Sequence, residues 1–136
     1  MFDCLILGDS IGVGVASELR QCSRLVQIGY TSANTLVRFG DRIWPAKVNV
    51  VSVGTNDVNI NTERHARLIR EKLTDGVVIW IMPSKELKPN AYDAVKKVAE
   101  RNGDHMIEPR LLGPDLIHPT VVGYQELAKR IEKVAE

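Results

Sequence analysis

The chain has 136 residues, of which 44% are hydrophobic, 26% charged and 5% aromatic, and its formal net charge is +1. This length is too short for two independent cores, so we predict a single domain over residues 1–136. The balanced charge argues against nucleic acid as a partner, because nucleic-acid binding usually needs a concentrated excess of basic residues.

Short β-rich runs alternate with amphipathic stretches along the whole chain. Five apolar runs predict strands at residues 4–7, 25–28, 48–53, 77–82 and 105–107. Five other stretches predict helices at residues 11–21, 33–39, 62–73, 90–101 and 121–135. Near-continuous apolar strands between helices are typical of a parallel sheet that is covered on both faces. The sequence therefore predicts a three-layer α/β/α fold with a five-stranded parallel sheet in flavodoxin-like order.

Several residues have simple structural interpretations in this scheme. Thr62 is predicted to cap the third helix and Asn90 to open the fourth. Trp44 and Trp80 are predicted to lie in the core, and His65 is predicted to be solvated on its charged helix.

The two cysteines are predicted to be free, packed thiols. Cys4 lies in the first apolar run, and Cys22 lies at the far end of the first predicted helix. The sequence has no CxxC spacing, and its three scattered histidines do not complete a zinc site. We therefore expect neither a disulfide framework nor a bound metal.

Hydropathy gives no sign of a membrane span. The longest strongly apolar run, residues 77–82, is far shorter than the roughly 18 residues that a span needs. The first residues also lack the basic flank and the apolar stretch of a signal peptide. We therefore expect a cytoplasmic location, and the sequence leaves open whether the host is a cell or a virus.

Polar residues follow the predicted strands, at the edge of the sheet where α/β folds bind ligands. Ser10 lies at the first strand-to-helix turn. A serine there is often the cap of the helix. A nucleophile also gains from this position, because the free amides of a helix N-terminus face the developing oxyanion. A serine hydroxyl is inert, however, unless a neighbouring base takes its proton.

His118 is the best candidate for that base. Asp115 lies three residues before it, and Pro119 favours an extended backbone at His118. In such a turn the carboxylate can bind one ring nitrogen and leave the other facing Ser10. The alternative interpretation is a surface Asp–His pair near the start of a helix.

Asn56 and Gly29 follow other strands of the same predicted edge. An Asn close after a Gly is ordinarily part of a turn. Its side-chain amide, the Gly29 N–H and the Ser10 N–H would together form an oxyanion hole. Asp57 is predicted to brace this loop by hydrogen bonds.

Four short blocks carry these residues, in an order that extends over nearly the whole chain. They are Gly8-Asp9-Ser10, the lone Gly29, Gly54-Thr55-Asn56-Asp57, and Asp115-x-x-His118-Pro119. Together they resemble the four blocks of the SGNH (GDSL-type) hydrolases. The resemblance implies a flavodoxin-like fold and ester hydrolysis without a metal or organic cofactor. It also implies that Ser10 is the nucleophile, His118 the base and Asp115 its orienting acid. The implied oxyanion donors are Ser10, Gly29 and Asn56.

The chain is short for that family, with little inserted around the rim of the site. An open site favours a small acyl group, such as acetyl, on a bulky alcohol or saccharide. The alternatives are a non-catalytic binding module, a phospho-receiver in which Asp9 belongs to the acidic cluster and Asp57 is the acceptor, or a viral hydrolase directed at a cell wall or envelope. A homo-oligomer in which a second subunit completes the pocket also stays open.

Overall fold

The computed structural model describes residues 3–58 and 61–136. Within these residues a single five-stranded sheet has the order β2-β1-β3-β4-β5, and every neighbouring pair is parallel. The strands are β1 (Cys4–Gly8), β2 (Ser23–Val26), β3 (Val48–Ser52), β4 (Val77–Ile81) and β5 (His105–Ile107). This is the flavodoxin-like order, so the predicted fold class is confirmed.

Helices cover both faces of the sheet. They are α1 (Ser10–Glu18), α2 (Ser32–Phe39), α3 (Thr62–Lys72), α4 (Pro89–Arg101) and α5 (Val121–Ala135), with a 3₁₀ turn at Gly40–Arg42. Helices α1 and α5 pack on one face, and α2, α3 and α4 pack on the other. None of the helices in the described part of the chain is long and apolar enough to cross a membrane.

The two faces of the sheet explain the near-continuous apolar strands. In β1, Leu5 and Leu7 face the α2–α4 layer, whereas Cys4 and Ile6 face the α1–α5 layer. Every residue of β1 and of β3 is buried, and the polar residues among them, Asn49 and Ser52 of β3, are hydrogen-bonded.

A partly buried ion pair joins a helix to the sheet near the amino-terminal edge of the sheet. The Arg70 guanidinium donates to Asp104 at 2.7 Å, and the indole N–H of the fully buried Trp80 donates to the same carboxylate at 2.9 Å. These bonds connect α3 and β4 to the turn before β5, and they satisfy a carboxylate that would otherwise be costly to bury.

Some local predictions are wrong at the ends of elements. The first helix ends at Glu18 rather than at residue 21, and α4 begins at Pro89 rather than at Asn90. Thr62 is the first residue of α3 and not its cap, because its hydroxyl donates to Asp57. Trp44 is 37% exposed rather than in the core.

The prediction of free thiols is also wrong, since Cys4 and Cys22 form a disulfide. The β1–β2 register pairs Leu5 with Ser23, so the two preceding residues also lie side by side. Their Cα atoms are 4.8 Å apart, within the range that a disulfide requires. Sequence reasoning missed the bond because it depends on this register.

Candidate active site

Ser10 is held at the carboxyl edge of the sheet by a tight turn at the end of β1. Gly8 has φ +141°, and a Cβ at this position would collide with the carbonyl oxygen of Ser52 on β3. Only glycine allows this approach. Asp9, rather than Ser10, then caps α1 by accepting a hydrogen bond from the Ile11 amide at 3.1 Å. The Ser10 hydroxyl is therefore not used as the helix cap.

The Ser10 hydroxyl instead contacts His118, which lies 108 residues later in the chain. Ser10 Oγ is 2.9 Å from His118 Nε2, and His118 Nδ1 is 2.6 Å from Asp115 Oδ2. With Asp115 ionised, the Nδ1–H donates to the carboxylate and Nε2 is left to accept from the serine hydroxyl. The structure thus brings together the hydroxyl, imidazole and carboxylate that the sequence singles out.

The Asp115 carboxylate is fixed by its own turn. Its Oδ1 accepts from the Ile117 and His118 amides, each at 2.9 Å, and its Oδ2 accepts from the His118 ring. These hydrogen bonds lower the pKa of Asp115 to about 2. The bond from the Ile117 amide has the largest effect, followed by that from the His118 ring. Asp115 is therefore ionised throughout the neutral range, although its side chain is about half exposed.

The loops after β2 and β3 meet next to this site. The Asn56 amide donates to the Tyr30 carbonyl oxygen at 2.9 Å, which uses one of its two hydrogens. Gly29 has φ +82°, and its N–H has no acceptor among the described residues. The second Asn56 hydrogen and the Gly29 amide are donors of the kind that an oxyanion hole needs, and this role remains a prediction.

Asp57 braces the loop after β3, as the sequence predicts. Its carboxylate accepts from the Ser32 amide at 2.8 Å, the Ser32 hydroxyl at 2.5 Å and the Thr62 hydroxyl at 2.6 Å. His65 Nδ1 lies 3.2 Å from the same Ser32 hydroxyl, so His65 is half-buried and bonded rather than solvated. These bonds join the loop of Asn56 to the starts of α2 and α3.

Asp9, next to Ser10, is a buried carboxylate. The sequence did not predict this burial of Asp9. Its Oδ1 accepts from the Ser52 hydroxyl at 2.8 Å, whereas Oδ2 has no hydrogen-bond partner among the described residues. Burial raises the pKa of Asp9 to about 6, and the bonds from Ser52 and Ile11 offset only part of that effect. The position of Asp9 directly after the apolar run of β1 was the sequence feature that could have indicated its burial.

Comparisons with known proteins agree on the fold. The chain matches no protein-family model, and no curated protein matches its sequence. A crystal structure of a proposed acylhydrolase from Bacteroides fragilis matches it with a TM-score of 0.65 at 19% identity, over 98% of this chain and 88% of that one. The C-terminal catalytic domain of peptidoglycan O-acetyltransferase A from Streptococcus pneumoniae, solved with a methylsulfonyl adduct, also has a TM-score of 0.65, at 16% identity, over 97% and 91%. At these identities the likeness shows the fold alone.

Proposed function

We propose that this chain is a serine ester hydrolase of the SGNH type, with Ser10 as nucleophile, His118 as base and Asp115 as the acid that orients His118. The observation that carries the proposal is the continuous hydrogen-bonded series from Ser10 through His118 to Asp115. The names of the two structural neighbours, an acylhydrolase and an O-acetyltransferase, support acyl chemistry on this fold.

The reaction proceeds in two acyl-transfer steps. Ser10 Oγ attacks the carbonyl carbon of the ester while His118 Nε2 takes the hydroxyl proton. The tetrahedral oxyanion is bound by the amides of Ser10, Gly29 and Asn56. As the carbon–oxygen bond to the alcohol breaks, His118 gives its proton to the leaving oxygen. A water molecule, deprotonated by His118, then attacks the acyl-enzyme and releases the carboxylic acid and the free serine.

The acyl group is small in this proposal, for example acetyl, and it is carried by a bulky alcohol or saccharide. The connections after β1 and β2 are short, with one residue and residues 27–31 respectively before the next helix, and this supports an open site. To test acyl size, kcat/KM is measured for acetyl, butyryl and octanoyl esters of one alcohol, and we expect the acetyl ester to be the best substrate. A preference for octanoyl would contradict a small acyl site.

The rival phospho-receiver has weaker support. A receiver needs an acceptor aspartate that is open to a phosphodonor. Asp57 already accepts three hydrogen bonds, and Asp9 has no exposed surface. Neither carboxylate is placed for phosphorylation.

A fluorophosphonate probe tests the nucleophile directly, because it forms a stable adduct with an activated serine. We expect the labelled peptide to contain Ser10, and Ser10→Ala to abolish labelling and to lower kcat by at least about 10⁴-fold. Ser17→Ala is the matched control, because Ser17 is an exposed serine on the same helix whose hydroxyl donates to the Val13 carbonyl. Labelling that survives Ser10→Ala, or no labelling at all, would refute the proposal.

A further inference from the structure

A cavity of about 230 Å³ lies beside the turn that carries Asp115 and His118. Its walls come from that turn and from the segments that follow β4 and β5. The apolar lining residues are Met82, Pro83, Pro109, Leu112, Leu116 and Ile117. The polar ones are Ser84, Lys85, Glu86 and Glu108, and no aromatic ring lines the cavity in the described part of the chain.

Two leucines of this lining are open to solvent. Leu116 is 58% exposed and Leu112 is 36% exposed. Leu116 also has φ +60°, a left-handed backbone conformation that a leucine rarely adopts. The chain thus presents an aliphatic side chain at a position where Asn or Gly would fit the backbone better. Aliphatic surface of this kind gains from contact with an apolar group that removes it from water.

The proposed reaction fixes which part of the ester lies near the cavity. His118 must reach the leaving oxygen to protonate it, so the alcohol lies on the His118 side of the serine. The carbonyl oxygen points towards Gly29 and Asn56, which follow β2 and β3. In the order of the sheet, the cavity lies beyond β3, at β4, β5 and the His118 turn, whereas Gly29 follows β2 on the opposite side of β1.

We propose that this cavity binds the alcohol part of the ester and that this alcohol carries an aliphatic group. The inference rests on the proposed ester hydrolase function. It restricts the bulky alcohol of that proposal to alcohols with an aliphatic group. Leu112, Leu116 and Ile117 contact the aliphatic portion, while the polar lining groups remain available to a hydroxyl or to water. Alcohols with an aliphatic part are therefore better substrates than plain saccharides.

The test varies the alcohol while the acyl group is kept as acetyl. Acid release is measured for methyl, butyl, hexyl and octyl acetate, all below the concentration at which they aggregate, and for an acetylated monosaccharide. We expect kcat/KM to rise by about twofold to fourfold for each added CH₂ until the cavity is filled. The acetylated monosaccharide should be a poorer substrate than hexyl acetate.

Leu116→Asn removes the aliphatic wall and keeps the turn, because asparagine tolerates the left-handed conformation. It should lower the ratio of octyl to methyl acetate kcat/KM by about tenfold. Leu111→Asn is the matched control, since Leu111 is also an exposed leucine with positive φ, at 54% and +53°, but does not line the cavity. It should leave the ratio and the turnover of methyl acetate at the wild-type values.

Equal kcat/KM for methyl and octyl acetate, or equal octyl-to-methyl ratios in the two variants, would overturn the inference. Either result together with hydrolysis of methyl acetate that requires Ser10 would leave the proposed function standing. If no ester is hydrolysed and the fluorophosphonate does not label Ser10, the proposed function fails and this inference fails with it.

Discussion

Asp9 and Asp115 both lie close to His118, and their environments act on them in opposite directions. Three hydrogen bonds lower the pKa of Asp115 to about 2, whereas burial raises that of Asp9 to about 6. Asp115 therefore keeps its charge throughout the neutral and mildly acidic range. Asp9 changes its charge in mildly acidic solution, with one oxygen buried and without a hydrogen-bond partner among the described residues.

The buried charge of Asp9 makes stability depend on pH. The pKa of Asp9 is about 6 in the folded chain, above the ordinary 3.8 of an aspartate, so the folded state binds the proton more tightly. The free energy of unfolding should therefore fall as the pH rises from about 4 to about 6, by up to about 3 kcal/mol, and then stay low. Asp9→Asn should flatten this dependence, as measured by urea unfolding at pH 4.5 and pH 7, because asparagine keeps the helix cap without a charge.

An exposed carboxylate provides the comparison for that experiment. Asp3→Asn removes one negative charge at the solvent-exposed start of the chain segment that leads into β1. We expect the Asp3→Asn variant to keep the wild-type slope between the two pH values. If the free energy of unfolding depended on pH equally in the wild type and in Asp9→Asn, Asp9 would not be the group that causes the dependence.

At the scale of whole elements, the Cys4–Cys22 disulfide encloses α1 in a covalent loop. The two cysteines are 18 residues apart in the sequence, and Ser10 lies inside the loop they close. Closing a loop of this size restricts the unfolded chain and stabilises the fold by about 3 kcal/mol. Reduction with dithiothreitol should therefore lower Tm by about 5 to 15 °C in a thermal unfolding experiment.

The double variant Cys4→Ala/Cys22→Ala serves as the control, since its Tm should not respond to the reductant. An unchanged Tm of the wild-type protein on complete reduction would contradict a stabilising role.

Disulfides persist in oxidising compartments and are rare in the cytosol. A cytoplasmic location, which stays a prediction, would therefore expose the Cys4–Cys22 bond to reduction.

The elements show which features a sequence can reveal. Strands β1 and β3 were predictable because their buried apolar runs lead to glycines, Gly8 and Gly54, where the turn needs an unusual backbone. The second strand was predicted at residues 25–28, two residues later than the observed β2, which is only partly buried. The short chemical blocks were predictable because each follows its own strand. The disulfide was not, because it depends on how β2 aligns with β1. The sequence leaves Ser10 with two interpretations, helix cap and nucleophile, because a serine at this turn suits both, and only the fold shows that Asp9 is the cap.

At the scale of the molecule, the candidate site joins the first turn of the chain to a segment near its end. Ser10 follows the central strand β1, and the Asp9 amide before it donates to the Ser52 carbonyl oxygen of β3. His118, by contrast, lies in a segment with little buried surface. Of residues 111–120, only Pro119 is buried. Backbone hydrogen bonds between Gly113 and His118 and between Leu111 and Thr120 close this segment. Segments with so few buried contacts open at a lower free energy than the core.

This difference in buried surface predicts that urea abolishes activity at a lower concentration than it unfolds the sheet. The fluorescence of the fully buried Trp80 reports the core, and a Trp44→Phe background removes the signal of the exposed tryptophan. We expect the urea midpoint of esterase activity to lie below that of Trp80 fluorescence, because opening of residues 111–120 moves His118 away from Ser10. The assay uses substrate well below KM, since bound substrate would stabilise the closed segment. Coincident midpoints would show instead that this segment unfolds together with the sheet as one cooperative unit.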